Sequence, residues 1–233
     1  MKDFFIGAPF GNYITHRKCT SVCGTYTLHR RGNWFTRFYR AIKTIRPIKN
    51  GWVNNIGLQN RGIKSVKIFR REKIYSITAM QTEEWDQLIN IIPGGVMVEL
   101  NLSCPNIDQK PSIDDYQVST YVKKFPIVIF KLSPTAEIYN QIDRLINLGA
   151  QYLHIANTFS GSKGGESGQR LKEFSLKVIM NVRVKYPNIK IIGGGGIYSN
   201  KDVELYRKVG ANYFSLATIW FKPWKAVSLL RKF

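Results

Sequence analysis

Apolar residues along this chain follow two alternating patterns. Short runs rich in β-branched and aromatic residues occupy 74–80, 96–104, 127–132, 152–156, 189–192 and 213–219, which is the length and composition of buried strands. Between these runs the spacing lengthens to that of a helix. Ile138, Ile142, Leu145 and Ile146 recur at helical intervals within 135–148, after Pro134 and before Gly149. Segments 171–184 and 200–209 behave likewise; Ser199 or Asn200 is placed to cap the second, and Gly210 to close it. A further helix is expected after Thr82, with Thr82 as its cap and Glu84 near its positive end. Upstream, 4–8 and 20–26 read as strands. A basic, aromatic-rich stretch at 30–50 and a polar turn around Asn54 and Asn55 separate them from residue 74. Eight strands alternating with helices predict right-handed βαβ units, and hence an α/β fold. The count favours a (β/α)8 TIM barrel over a doubly wound sheet. No repeat, low-complexity tract or linker interrupts the pattern, so residues 1–233 are expected to form a single domain.

A barrel of this kind places its chemistry at the C-terminal ends of the strands. Those ends carry Cys23-Gly24-Thr25, the stretch from Asn101 to Asn106, Lys131 to Pro134, Asn157-Thr158, Gly193 to Gly196, and Ala217-Thr218. A structural barrel has no need of so many polar groups there. Pro105 lacks an N–H, so the fourth strand ends at about Cys104 and leaves a thiol at its tip between two Asn amides. Taken alone, a cysteine is most often a small buried hydrophobe. Lys131 ends an apolar strand; it either snorkels to solvent or stabilises negative charge at the barrel mouth. The run Gly193 to Gly196 suits either a tight turn or a backbone cradle for a phosphate. Its place in the seventh βα loop, with Thr218 in the eighth, favours the phosphate.

Bulk properties narrow the class. Hydrophobic residues make up 44% and charged residues 21%, as in ordinary globular proteins. No apolar run approaches the roughly 18 residues of a membrane span, and no transmembrane segment is expected. The N-terminal apolar stretch is too short for a signal peptide. Three cysteines argue against a disulfide framework and point to a reducing, cytoplasmic setting. No metal site is expected. Net charge is the unusual feature, at +20. Between Arg30 and Lys73 stand thirteen Lys and Arg against Glu72 alone. Such a surface attracts polyanions by counterion release, although a merely solvated face is the plainer reading.

Five ordered motifs carry a family resemblance: ELNLSCPN, KLSP, NTFSGSKGGESGQRL, IIGGGGIYSNKDV and GANYFSLATIW. Together they resemble dihydroorotate dehydrogenases, flavin enzymes of pyrimidine biosynthesis. The match is strong from Gly94 onward and looser upstream, at GTYTLHRRGN and VNNIGLQN. The resemblance implies an FMN-binding barrel that oxidises dihydroorotate to orotate. It implies that Cys104 is the base that takes the C5 proton while hydride passes to the flavin, and that Lys131 lies beside flavin N1 and O2. Asn54, Gly57, Leu58, Asn101, Asn106, Asn157 and Thr158 match the substrate-holding segments. Gly24, Thr25, Asn101, Lys131, Asn157, Gly165, Gly168, Gly195, Gly196, Ala217 and Thr218 match positions around the FMN. A homodimer is common in the family. Cysteine at 104 is typical of class 1 members, whereas class 2 members place serine there. Gly24 stands where many class 1 members have a lysine, and Trp34 where proline is frequent. The acceptor stays open between fumarate, NAD through a partner subunit, and quinone. Two rivals remain: a tRNA dihydrouridine synthase-like FMN barrel, and a degenerate barrel acting as a basic binding protein.

Overall fold

A computed structural model describes residues 1–49, 51–55, 57–102, 112–133, 137–156, 159–161 and 164–233, with backbone only at positions 34, 37, 41, 159–161 and 164. Eight strands close into a barrel: β1 (Phe4–Ile6), β2 (Cys19–Tyr26), β3 (Ile74–Ile77), β4 (Met97–Asn101), β5 (Ile127–Leu132), β6 (Tyr152–Ile155), β7 (Lys190–Gly194) and β8 (Tyr213–Leu216). Each pairs in parallel with its sequence neighbours, and β8 pairs with β1. The eight strands expected from the apolar pattern are the eight observed. Seven helices accompany them among the described residues: α1 (Trp34–Thr44), α2 (Glu84–Ile91), α3 (Asp115–Lys124), α4 (Ile138–Asn147), α5 (Gln169–Lys185), α6 (Asn200–Lys208) and α7 (Pro223–Arg231).

Local sequence explains most of these elements. Helix α4 buries Ile138, Ile142 and Leu145, one apolar stripe at helical spacing. Ser199 caps α6 in a reciprocal box with Asp202, and Gly210 follows at φ +103°. The expected cap of α2 is not made. Thr82 lies outside that helix, its carbonyl accepting from Gln117 Nε2, while the Glu84 carboxylate accepts from the Met80 N–H at 2.7 Å. Chain reversal before α2 uses Glu84 itself, which leaves Thr82 free to contact α3.

Alternation along the strands sorts side chains between two cores. Phe4, Ile6, Tyr75, Ile77, Val98, Leu100, Phe130 and Leu153 face outward into the large core shared with the helices. Phe5, Val22, Ile74, Ile129 and Ile192 form a separate plug inside the barrel, with Met97, Tyr152 and Tyr213 packed on it. Two residues further along the same strands, on the same inner face, stand Ser76, Glu99, Lys131, His154 and Ser215. The lumen is therefore apolar at the bottom and polar toward its C-terminal mouth.

The first third departs from the regular barrel. A short 3-10 turn, Phe10–Asn12, stands where a helix would join β1 to β2. Helix α1 and strands Arg46–Ile48 and Gly51–Asn54 lie within the β2–β3 connection. Those two strands join Gly164–Gly168 and Phe159–Gly161, from the β6–α5 connection, in a four-stranded antiparallel sheet. This small sheet caps the barrel mouth.

Candidate active site at the barrel mouth

A cavity of about 580 Å³ opens between the lumen and the capping sheet, well within the size of small-molecule sites. Its floor is Lys131, His154, Ala156 and Ser215. Gly7 to Phe10, Gly195 to Ile197, and Ala217, Thr218 and Phe221 make its walls, each set following the C-terminal end of a strand. Phe38, Ile45, Trp52, Asn54, Ser167 and Gly168 enclose it from above. Phe221 binds roof to wall, with ring centres 4.5 Å from Trp52 and 5.1 Å from Phe10.

Beneath the floor lies a buried polar cluster. Glu99 and His154 are 1% and 3% exposed, and His154 Nδ1 sits 2.7 Å from Glu99 Oε2. Burial alone pushes the Glu99 carboxyl upward. Lys131, together with the His154 and Ser76 side chains, outweighs that and holds it below the usual carboxylate range. At His154 burial wins over the attraction of Glu99 and drives the pKa down. The imidazole is therefore neutral at neutral pH and donates its Nδ1–H to the carboxylate; Lys131 supplies the positive charge. Adjacent strands set this meeting, since Asn101 pairs with Lys131 and Lys131 with His154 in register. Glu99 Oε1 and His154 Nε2 are buried with no hydrogen-bond partner among the described residues. The network continues through Asn101 Nδ2, which donates to Thr25 Oγ1 at 3.2 Å, and Thr25 Oγ1 lies 3.0 Å from Ser76 Oγ.

The glycine wall is shaped by close approach. Gly196 has φ +71°, and a Cβ there would lie 2.7 Å from the Gly168 carbonyl oxygen. Only glycine lets the β7 loop pass so near the start of α5. Tyr206 Oη lies 2.7 Å from both the Gly194 and Gly195 carbonyl oxygens, so the hydroxyl fixes the loop from below. Beyond the loop, the Asp202 carboxylate accepts from the Tyr198 and Ser199 N–H groups at 3.0 and 2.9 Å. Its other oxygen pairs with Lys172 at 2.6 Å. That pairing and these hydrogen bonds overcome burial and hold the Asp202 carboxyl below its ordinary value.

The sequence model described as dihydroorotate dehydrogenase matches residues 27–232. The chain belongs to the dihydroorotate dehydrogenase family. This is a family of FMN-dependent oxidoreductases that act on dihydroorotate. A relative from Caldicellulosiruptor bescii, a dihydroorotate dehydrogenase B (NAD(+)) catalytic subunit, is 28% identical over 215 residues, covering 78% of this chain and 71% of its own. A protein of the same name from Phocaeicola vulgatus is 27% identical over 254 residues, covering 94% and 81%. The crystal structure of a dihydroorotate dehydrogenase from Eimeria tenella, in complex with ferulenol, superposes with a TM-score of 0.72 at 17% identity. It covers 94% of this chain and 76% of that one, and it supports the barrel fold.

The family-implied positions divide into three groups. Asn54, Lys131, Gly168, Gly195, Gly196, Ala217 and Thr218 line the cavity. Gly24, Thr25, Asn101, Gly57, Leu58 and Gly165 do not line it. Thr25 and Asn101 belong to the buried network; Gly165 pairs with Asn54 across the capping sheet. Gly57 and Leu58 occupy a turn with φ +71° and +53°. Cys104, Asn106, Asn157 and Thr158 lie outside the described residues. Gly24 has a steric basis: its φ is +114°, and a Cβ would stand 2.3 Å from the Ser76 carbonyl oxygen. A lysine does not fit this backbone. The other two cysteines are buried; burial raises Cys19 to about 12 and raises Cys23 as well. Neither is suited to proton chemistry near neutrality.

Sequence reasoning overlooked Glu99 and His154. Each is a polar residue inside an apolar run, at even spacing from inward-facing neighbours. That signal was available; the register that brings them together was not.

Proposed function

We propose that the chain binds FMN at the barrel mouth and oxidises dihydroorotate to orotate. The observation that carries this reading is the family match over residues 27–232, on a chain whose cavity opens where such barrels hold their chemistry. Two features of the cavity support the fit of the cofactor. Gly196 approaches the Gly168 backbone, and Gly195 the Leu171 side chain, too closely for a Cβ, which suits a phosphate held by backbone. His154 Nε2 is a buried, unsatisfied group on a residue of the floor. Gly168, Gly195, Gly196 and Thr218 would hold the phosphate end, and Lys131 the electron-rich end of the ring system. FMN, when bound, supplies the hydride acceptor.

The chain's own residues do the rest. Lys131 presents positive charge where negative charge develops, and Glu99 balances that charge from below. Asn54 and the amides of Asn106 and Asn157 orient the substrate, with the Thr158 hydroxyl, and Asn101 supports them from the buried network through Thr25. Cys104 removes the C5 proton; an ordinary thiol pKa of about 8.5 is workable for a base near neutrality. Trp52 and Phe221 cover the cavity and exclude water. That the similar proteins from Caldicellulosiruptor bescii and Phocaeicola vulgatus are NAD(+)-type catalytic subunits supports NAD as the final acceptor over fumarate or quinone.

Anaerobic addition of dihydroorotate to the reconstituted protein tests this directly. The flavin absorbance is expected to bleach, and Cys104→Ala to slow bleaching about 10²–10⁴-fold with the flavin still bound. A preparation that takes up no FMN overturns the cofactor assignment. One that binds FMN but ignores dihydroorotate overturns the substrate.

A further inference from the structure

The cavity wall at Thr218 is braced from behind. Thr218 lines the cavity and Tyr198 does not. Their hydroxyl oxygens lie 2.6 Å apart, and neither hydroxyl has another hydrogen-bond partner among the described residues. Two hydroxyl groups that share one hydrogen bond leave one hydrogen unplaced. A phenol is the better donor and the poorer acceptor, because its oxygen lone pair is drawn into the ring, so Tyr198 donates and Thr218 accepts. Burial raises the Tyr198 pKa above its usual value, which keeps that proton in place. The opposite arrangement would leave the phenol hydrogen of a half-buried residue without an acceptor among the described residues. The hydrogen of Thr218 is thus left for a group from outside the chain. Tyr198 is itself held in place. Its N–H donates to Asp202 Oδ2 at 3.0 Å, and Asp202 Oδ1 pairs with Lys172 of α5 at 2.6 Å. The wall segments at 168, 195–197 and 218 are tied together through this chain of contacts.

We propose that Tyr198 is a positioning residue of a phosphate site: it orients the Thr218 hydroxyl so that the threonine hydrogen is offered to a phosphate monoester in the cavity. Two observations favour phosphate as the acceptor. Gly195 and Gly196 leave no room for a Cβ, so an anion can come close to the backbone next to Tyr198. No Asp or Glu is among the described residues lining the cavity, so no carboxylate there competes for the hydrogen or repels an anion. This inference rests on the reading that FMN occupies the cavity with its phosphate end at Thr218. It adds the residue that acts on that end through another side chain.

Titration of the flavin-free full chain with FMN and with riboflavin, followed by flavin fluorescence, provides the test, because riboflavin lacks the phosphate. Tyr198→Phe keeps the ring and removes only the hydroxyl. It is expected to weaken FMN binding about three- to tenfold and to leave riboflavin binding unchanged. Thr218→Val is expected to weaken FMN binding about tenfold or more. Adding Tyr198→Phe to Thr218→Val is expected to weaken it no further, since Tyr198 acts through Thr218. Equal losses for FMN and riboflavin would make Tyr198 a merely structural residue and overturn the proposal. Losses that add in the double variant overturn it as well. A parent chain that binds neither flavin overturns the cofactor reading and this inference with it. A parent that binds FMN no more tightly than Tyr198→Phe does overturns this inference alone.

Discussion

The barrel lumen and helix α1 invert the usual burial rule in opposite directions, at the same end of the molecule. Glu99, His154 and Lys131 put polar and charged groups inside, where Glu99 and His154 are almost fully buried. Phe35, Tyr39 and Ile42 put apolar groups outside. The inner cluster answers its desolvation cost internally, by the Glu99–His154 hydrogen bond and the charge of Lys131. The outer stripe carries no comparable desolvation cost, since Phe35, Tyr39 and Ile42 are each 60% or more exposed. Departures of this sort from local consistency gather at functional sites, and here they separate a reaction chamber from the surface around its mouth.

The comparison is most sharply tested from within. Glu99→Ala removes the buried anion that accepts from His154 and faces Lys131, so it is expected to cost about 3–5 kcal/mol of stability in denaturant titration. A loss near zero would mean that the lumen is already hydrated. At the glycine wall, Gly196→Ala combines a positive φ with a backbone contact of 2.7 Å. A penalty of about 1–3 kcal/mol is expected, read most directly as weakened FMN binding in fluorescence titration. Asp202 gives a smaller, pH-dependent effect. Its folded pKa lies below the unfolded value of about 3.9, so its contribution is present above that value and is lost as pH falls through the folded pKa. Asp202→Asn should cost about 1 kcal/mol at pH 7, and in thermal melts the difference between variant and parent should begin to shrink below roughly pH 4 and close only once the pH is below the folded pKa. At the outer stripe, Ile42→Ser should change stability by no more than about 0.5 kcal/mol. A large loss there would show that the stripe is covered by the chain itself, and would dissolve the contrast.

The barrel was legible because each of its strands is an apolar, β-branched run bounded by turn residues, as 127–132 is. Lys131 and the glycines were legible because their places at strand ends are counted along the chain. Helix α1 was read only as a basic, aromatic stretch; cations at every third or fourth position masked the stripe at 35, 38, 39 and 42. The capping sheet was hidden for another reason. Its strands are three to five residues long, one of them is Gly-Gly-Glu-Ser-Gly, and they lack alternating apolar residues. Beyond Leu216, the eighth strand gives way to the turn Thr218–Phe221 instead of running to 219, because Trp220 and Ile219 turn back into the outer core.

The capping sheet joins segments that the chain synthesises far apart: Asn54 Nδ2 donates to the Gly165 carbonyl across 111 positions. No local nucleus can assemble it, since closing so long a loop is repaid only after β3 to β6 have formed. It is therefore expected to be the last unit to fold and the first to open, with amides at 51–54 and 164–168 exchanging hydrogen well before those of β4 and β5. Each such opening would lift Trp52 and Ser167 from the cavity while the barrel stays whole, so the exchange rate of that sheet would report how often the cavity widens.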